Sequence, residues 1–183
     1  GYSVLDRTNL EKAISQICEF DRSNVIGVIE KDSFNRVELF SQHQIDLSSN
    51  VPRSFYLKLL NKKFKDSDVL FIGTTGNTAR EMYSFMPDTV NFYMAGNMGG
   101  ALSIGLGAAL SGKKVIVCGG DAEFVMHMGA LTTAGRYRSL SLTYIVFDNE
   151  QNKSTGGQNT YQSHIDYISI ARSSGFDVVG KKI

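Results

Sequence analysis

From Asp68 onward the chain alternates between uninterrupted apolar runs and stretches patterned for helices. The runs are DVLFIG (68–73), VNFYMAG (90–96), KKVIVCGG (113–120) and LTYIVFDN (142–149). Between them, residues 77–86, 99–112 and 122–137 carry helical spacing, and Gly112 closes the second of these. Residues 164–175 read as a further helix and 176–180, FDVVG, as a strand. A strand that is apolar at every position is covered on both faces, and strands separated by helices pair in parallel. The predicted fold is α/β: a doubly wound parallel sheet with helices on both faces.

Upstream the pattern is weaker. Thr8 and Glu11 make a capping box, followed by Leu10, Ala13, Ile14, Ile17 and Cys18 at helical spacing. NVIGVIE (24–30) reads as a strand, and no clear strand precedes the opening helix. Residues 41–53 are polar, contain a proline and read as a linker, and a helix follows over 54–64. Both ends look cut, as in a fragment or one subunit of a split protein. The 183 residues accommodate one domain with a sizeable core and an appendage.

Nineteen basic residues balance eighteen acidic ones, so no net field argues for nucleic acid or an anionic membrane. The most apolar window, MGGALSIGLGAAL (98–110), is too short and too glycine-rich for a membrane span. The N-terminus lacks the apolar core of a signal peptide. Cys18 and Cys118 match no metal-ligand spacing and read as reduced, buried thiols of a cytoplasmic protein.

In open α/β sheets, ligands gather beyond the carboxyl ends of the strands. Four turns fall there: GTTGNT (73–78), AGNMGG (95–100), GGDAEF (119–124) and DNEQNKSTGGQ (148–158). Three lead directly into helices, whose first N–H groups and positive dipole end suit phosphate. Thr74 and Thr75 add hydroxyl donors. Asp121 and Asn149 supply a carboxylate and an amide oxygen, hard ligands of the kind Mg²⁺ prefers. Singly, each turn is also compatible with a plain helix cap or turn start. Jointly, they suit a magnesium diphosphate.

Gly120-Asp121-Ala122, a gap of twenty-seven residues after Asp121, and then Asn149 resembles the Gly-Asp-Gly…Asn motif of thiamine diphosphate enzymes. The blocks TTGNTAREMY, FYMAGNMGGALSIGLGAAL, MHMGALTTAG and STGGQ resemble the 2-oxo acid decarboxylases acting on phosphonopyruvate, with the catalytic subunit of the sulfopyruvate enzymes next. The resemblance implies thiamine diphosphate and Mg²⁺ as cofactors, a 2-oxo acid as substrate, and carbon dioxide release. It implies Asp121, Asn149 and the backbone carbonyl of Gln151 as metal ligands. Thr74, Thr75 and the amides of Gly120, Asp121, Ala122 and Glu123 would hold the diphosphate. Met98 would prop the cofactor in a bent shape, with backbone near Gly96 and Asn97 against its aminopyrimidine ring. Residues 1–50 would be the tail of a preceding pyrimidine-binding domain plus linker, and 51–183 a C-terminally incomplete diphosphate-binding domain. The activating glutamate would lie on a pyrimidine-binding domain or subunit, with the site between two chains of a homo-oligomer.

Three residues depart from the motif. Ala122 stands where glycine is usual, which is harmless if its φ is negative. Glu123 should repel a diphosphate unless it points to solvent, or it favours the helix start. Asp148 replaces the first Asn of the common pair. Lys153, Ser154 and Thr155 are candidate anchors for a phosphonate, or parts of a solvated loop. His127 reads as a packing histidine rather than a cofactor contact; His43 and His164 lie in polar surroundings.

Overall fold

The structure, a computed structural model, describes residues 2–5, 11, 12, 15, 26–29, 48, 50–139, 141–160 and 164–179. The chain separates into two compact units, Gly1–Phe40 and Ser41–Ile183. In the first, β1 (Tyr2–Leu5) pairs in parallel with β2 (Ile26–Ile29), Tyr2 opposite Ile26 and Leu5 opposite Ile29. A strand therefore does precede the opening helical segment. YSVL is only four residues long, too short for its pattern to stand out. Of the capping box and apolar stripe proposed there, Thr8, Leu10, Ala13, Ile14, Ile17 and Cys18 lie outside the described residues, as does His43.

The second unit is built on a parallel sheet of order β4-β3-β5-β6, comprising β3 (Leu70–Gly73), β4 (Val90–Tyr93), β5 (Val115–Gly120) and β6 (Leu142–Phe147). Its helices are α1 (Arg53–Phe64), α2 (Asn77–Phe85), α3 (Ala101–Leu110), α4 (Asp121–Met126), α5 (Gly129–Tyr137) and α6 (Tyr167–Ser173). Both faces of the central strands β3 and β5 are covered, whereas the edge strand β4, predicted from its apolar run to be covered too, leaves Val90, Phe92 and Tyr93 exposed. Phe71, Ile116 and Cys118 turn to one side, against Leu57 of α1 and Met82 of α2. Ile72, Val115 and Val117 turn to the other, against Ala101 and Ala109 of α3. The alternation is the period of two that a strand imposes. Burying each such aliphatic side chain contributes about 1.5–3 kcal/mol.

The small residues of α3 set how closely it lies on the sheet. A Cβ at Gly105 would come within 2.4 Å of Val117 Cγ2. The helix ends as its sequence predicts. Gly112 has φ +90, and the N–H groups of Gly112 and Lys113 donate to the carbonyls of Ala109 and Ala108. On the other face, Arg53 of α1 donates from Nε and Nη2 to both carboxylate oxygens of Glu81 on α2, at 3.1 and 2.6 Å.

Two elements depart from the predicted pattern. The helix predicted over 122–137 is broken at His127, whose φ of −123° and ψ of 43° leave the helical region, and α5 starts anew at Gly129. The run FDVVG makes no strand over 176–179, and Gly180 lies outside the described residues. Instead, Gly175 (φ +96) and Phe176 close α6, donating to the carbonyls of Arg172 and Ala171 at 2.9 and 3.0 Å. Phe176 packs into the cluster formed by Leu102, Leu106, Phe124, Leu131 and Ala134. The apolar residue is spent on a helix end rather than a sheet. Among the described residues, no helix is long and apolar enough to cross a membrane.

Candidate functional site

Because all four strands of the sheet are parallel, the turns at 74–76, 94–100, 120–121 and 148–150 leave one common edge. Three of them open helices whose N-cap is glycine: Gly76 for α2, Gly100 for α3 and Gly120 for α4. None carries a side-chain cap, whereas Asp166 caps α6 by accepting from the Ser169 N–H at 3.0 Å. Some of the first-turn amides are engaged locally, Ala101 N–H with the Glu123 carboxyl and Ala122 N–H with that of Asp121; the others lack an intrahelical acceptor, as at any helix start. The turns need their glycines. Gly76, Gly96 and Gly99 have φ of 95°, 74° and 96°, in the left-handed region that side chains rarely adopt. A Cβ on Gly96 would meet no atom within 4 Å, so the backbone there faces open space.

The parallel register sets Gly120 opposite Phe147, so Asp121 and Asn149 leave adjacent strand ends one and two residues later. Asp121 is 4% exposed. Burial raises its pKa, and the nearby Asp148 carboxylate adds to this, while a hydrogen bond from Thr160 Oγ1 to Oδ2, at 2.8 Å, opposes it. Asn149 Oδ1 accepts from the Gln151 N–H at 3.3 Å, a turn that sets the amide oxygen beside the backbone of Gln151. Asp148 accepts in the same way from the Glu150 N–H at 2.9 Å, holding Glu150 at φ 53°. Gln151 then begins a small antiparallel hairpin of β7 (Gln151–Asn152) and β8 (Gln158–Asn159).

The departures at Ala122 and Glu123 resolve differently. Ala122 lies inside α4 and is not among the described residues of positive φ, so alanine is unstrained there. Glu123 does not point to solvent: it is 1% exposed. Its Oε2 accepts from the Gly120 N–H at 3.3 Å, half of a capping box reaching back from the first turn of α4. Burial pushes its carboxyl up to about 7, opposed by Thr74, the Gly120 and Ala101 amides and His127. A carboxyl that holds its proton near neutrality repels a diphosphate far less than a carboxylate would.

Two buried polar atoms here, Thr74 Oγ1 and Glu123 Oε1, belong to neighbouring side chains, yet neither makes a hydrogen bond of good geometry. Orphaned buried donors and acceptors are costly unless a ligand takes them up. Together with the glycine-opened helix starts, the Thr74 hydroxyl fits an anion seated across the turns at 74–76 and 120–121. Among the described residues no group of three or more His, Cys, Asp or Glu gathers to hold a metal. A cation at Asp121 would thus draw on amide, carbonyl and non-protein oxygens, a donor set that suits Mg²⁺.

The remaining candidates divide. Thr75 and Met98 are half-buried and Asn97 is exposed, its amide folded over the backbone of Gly100. Lys153, Ser154 and Thr155 are all exposed on the hairpin turn. The Thr155 hydroxyl is engaged within the turn, donating to Gln158 Oε1 at 2.8 Å. Ser154 lies over Gly76, where an added Cβ would come within 2.5 Å of its Oγ. The hairpin turn therefore meets the 74–76 turn. His127 is exposed, with its ring against Gly99. His164 is exposed as well.

Two residues at the site escaped the sequence reading, Thr160 and Tyr167. The Tyr167 ring packs edge-on against Phe124 at 4.8 Å. Its buried hydroxyl has no partner, and burial together with Asp148, Asp121 and Glu150 raises its pKa. Neither residue stands in a motif: Thr160 bonds Asp121 from thirty-nine residues away in the chain, and Tyr167 feels its charge from further along still.

The family model described as thiamine pyrophosphate enzyme, C-terminal TPP binding domain, matches residues 72–182. Phosphonopyruvate decarboxylase of Streptomyces viridochromogenes is 38% identical over 113 residues, which are 61% of this chain and 28% of that protein. Sulfopyruvate decarboxylase subunit beta of Methanothermobacter thermautotrophicus is 42% identical over 113 residues, 61% of each. The chain thus spans less than two thirds of either relative. A solved structure from Mycobacterium smegmatis, described as a thiamin diphosphate-dependent enzyme, aligns with TM-score 0.55 at 20% identity, over 69% of this chain and 26% of that one, and shares the fold. The chain belongs to the thiamine pyrophosphate enzyme family, carrying its C-terminal cofactor-binding domain.

Proposed function

We propose that the protein is a thiamine diphosphate- and Mg²⁺-dependent decarboxylase converting 3-phosphonopyruvate to phosphonoacetaldehyde and carbon dioxide, with this chain supplying the diphosphate and metal half of the site. The observation that carries the reading is the placement of Asp121 and Asn149 on adjacent parallel strand ends, beside the backbone of Gln151. Asp121 and Asn149 would ligate Mg²⁺ through side chains, and Gln151 through its carbonyl. Thr74 and Thr75 would donate to phosphate oxygens, as would the amides of Gly120 to Glu123. Met98 would present an apolar side chain to the cofactor, near the exposed backbone of Gly96 and Asn97. When bound, the cofactor supplies the electron sink that lets a 2-oxo acid lose carbon dioxide. The chain's part is to fix its position and to set the field around it.

The substrate assignment rests on likeness to the Streptomyces enzyme. A second reading, decarboxylation of sulfopyruvate, is favoured by the higher identity to the methanogen subunit. Both substrates present a dianionic or anionic head that Lys153, Ser154 and the Gly156-Gly157 amides could receive. A pyrimidine-binding domain or partner subunit would supply the activating glutamate, residues 1–50 being the tail of such a domain, and a cytoplasmic homo-oligomer is the proposed assembly. Steady-state carbon dioxide release from each acid by the complete enzyme tests the assignment. Higher kcat/KM for phosphonopyruvate supports the first reading, higher kcat/KM for sulfopyruvate the second, and no release from either refutes both.

A further inference from the structure

We propose that Thr160 is a positioning residue for the metal site, tying the hairpin that carries Gln151 to the carboxylate of Asp121. The proposal rests on the reading of Asp121, Asn149 and Gln151 as ligands of one divalent cation. Those three donors come from two parts of the chain: Asp121 from the start of α4, and Asn149 with Gln151 from the turn and hairpin after β6. A cation that demands near-octahedral geometry needs their spacing fixed.

Within the second group the Asn149 side chain is already bonded to the Gln151 N–H. What joins the two groups is Thr160. Its N–H donates to the Glu150 carbonyl at 2.9 Å, closing the base of the hairpin just beyond the Gln151–Asn159 pair. Its hydroxyl donates to Asp121 Oδ2 at 2.8 Å, across thirty-nine residues of sequence. One residue thus holds the hairpin base with its backbone and the carboxylate with its side chain. Occupying Oδ2 from the hairpin side, with the Ala122 amide also bonded to the carboxylate, fixes its rotation. Threonine suits the role because a β-branched side chain has few χ1 choices. Partners that orient a ligand in this way usually contribute 10–100-fold to metal affinity.

The test compares Thr160→Val, which keeps the shape and removes the hydroxyl, with Thr160→Ser, which keeps the hydroxyl. Thiamine diphosphate binding to the complete protein is followed by calorimetry across a Mg²⁺ titration. The valine variant is expected to need about tenfold or more Mg²⁺ for half-saturation, and the serine variant to stay within about threefold of wild type. Thr160→Ala carries the same expectation as valine should valine give no folded protein. If the valine or alanine variant melts at lower temperature without cofactor yet keeps the wild-type Mg²⁺ requirement, Thr160 is merely structural and the proposal is overturned. If the wild-type protein itself shows no Mg²⁺-dependent binding, the metal reading fails, and this inference falls with it.

Discussion

Replacing Glu123 by glutamine should flatten the dependence of stability on pH between about 4.5 and 7. The carboxyl is buried beside the Gly120 amide and Thr74, and its pKa is raised from 4.5 to about 7. Below pH 4.5 it is protonated in folded and unfolded chains alike, and its contribution is fully present. As pH rises past 4.5 the unfolded chain ionises while the folded chain keeps its proton, so stability falls. The loss is complete once pH passes the folded value near 7. It amounts to roughly 3 kcal/mol as an upper figure, at about 1.4 kcal/mol for each pKa unit. Glutamine keeps an oxygen for the Gly120 N–H and offers Thr74 an amide, but carries no charge at any pH. Urea unfolding at pH 5 and pH 8, in metal-free buffer without cofactor, measures the difference. Asp121, whose pKa is also raised, contributes a slope of the same sign to both proteins and cancels when they are compared. Because part of the loss has already occurred at pH 5, wild type is expected to lose roughly 2 kcal/mol more than the variant between the two pH values. Equal losses would show that Glu123 is ionised in the folded state and would refute it.

Three further outcomes follow from particular contacts. Asp121→Ala should abolish metal-dependent thiamine diphosphate binding by calorimetry while leaving the far-ultraviolet circular dichroism unchanged; retained affinity would count against its role as a ligand. Gly135→Ala should destabilise the protein by about 1–3 kcal/mol in thermal melts, because an added Cβ would come within 1.5 Å of the Ser174 carbonyl, where α5 crosses the end of α6. Cys118, fully buried and with its thiol pushed up to about 12 by desolvation, should resist iodoacetamide at pH 8 until denaturant is added, as read by peptide mass mapping.

Much of the fold was legible because its strands are apolar at every position. DVLFIG and KKVIVC could belong only to a sheet covered on both faces, and Phe71 with Cys118 and Ile72 with Val117 indeed divide between two helical layers. Gly112 announced the end of α3 because only a left-handed residue completes that cap. FDVVG misled for the opposite reason: a short apolar run carries no record of whether a helix end or a sheet receives it. The break at His127 has no proline and no preceding glycine to signal it. At the site, Asp121 and Asn149 were readable as the proposed ligands from the motif, whereas the orientation of Glu123 was not. Its direction depends on Thr74, Gly120 and Ala101 meeting at one point, which only the folded sheet brings about. Thr160 and Tyr167 were invisible for the same reason.

The account turns on whether the ends of β5 and β6 grip one ion together. Crystals of the complete protein grown with thiamine diphosphate and Mn²⁺, measured at the manganese absorption edge, would locate that ion by its anomalous signal. A single peak within bonding distance of Asp121, Asn149, the Gln151 carbonyl and two phosphate oxygens is the expected result. A cofactor bound with no peak there, or with a peak that touches neither side chain, would contradict it.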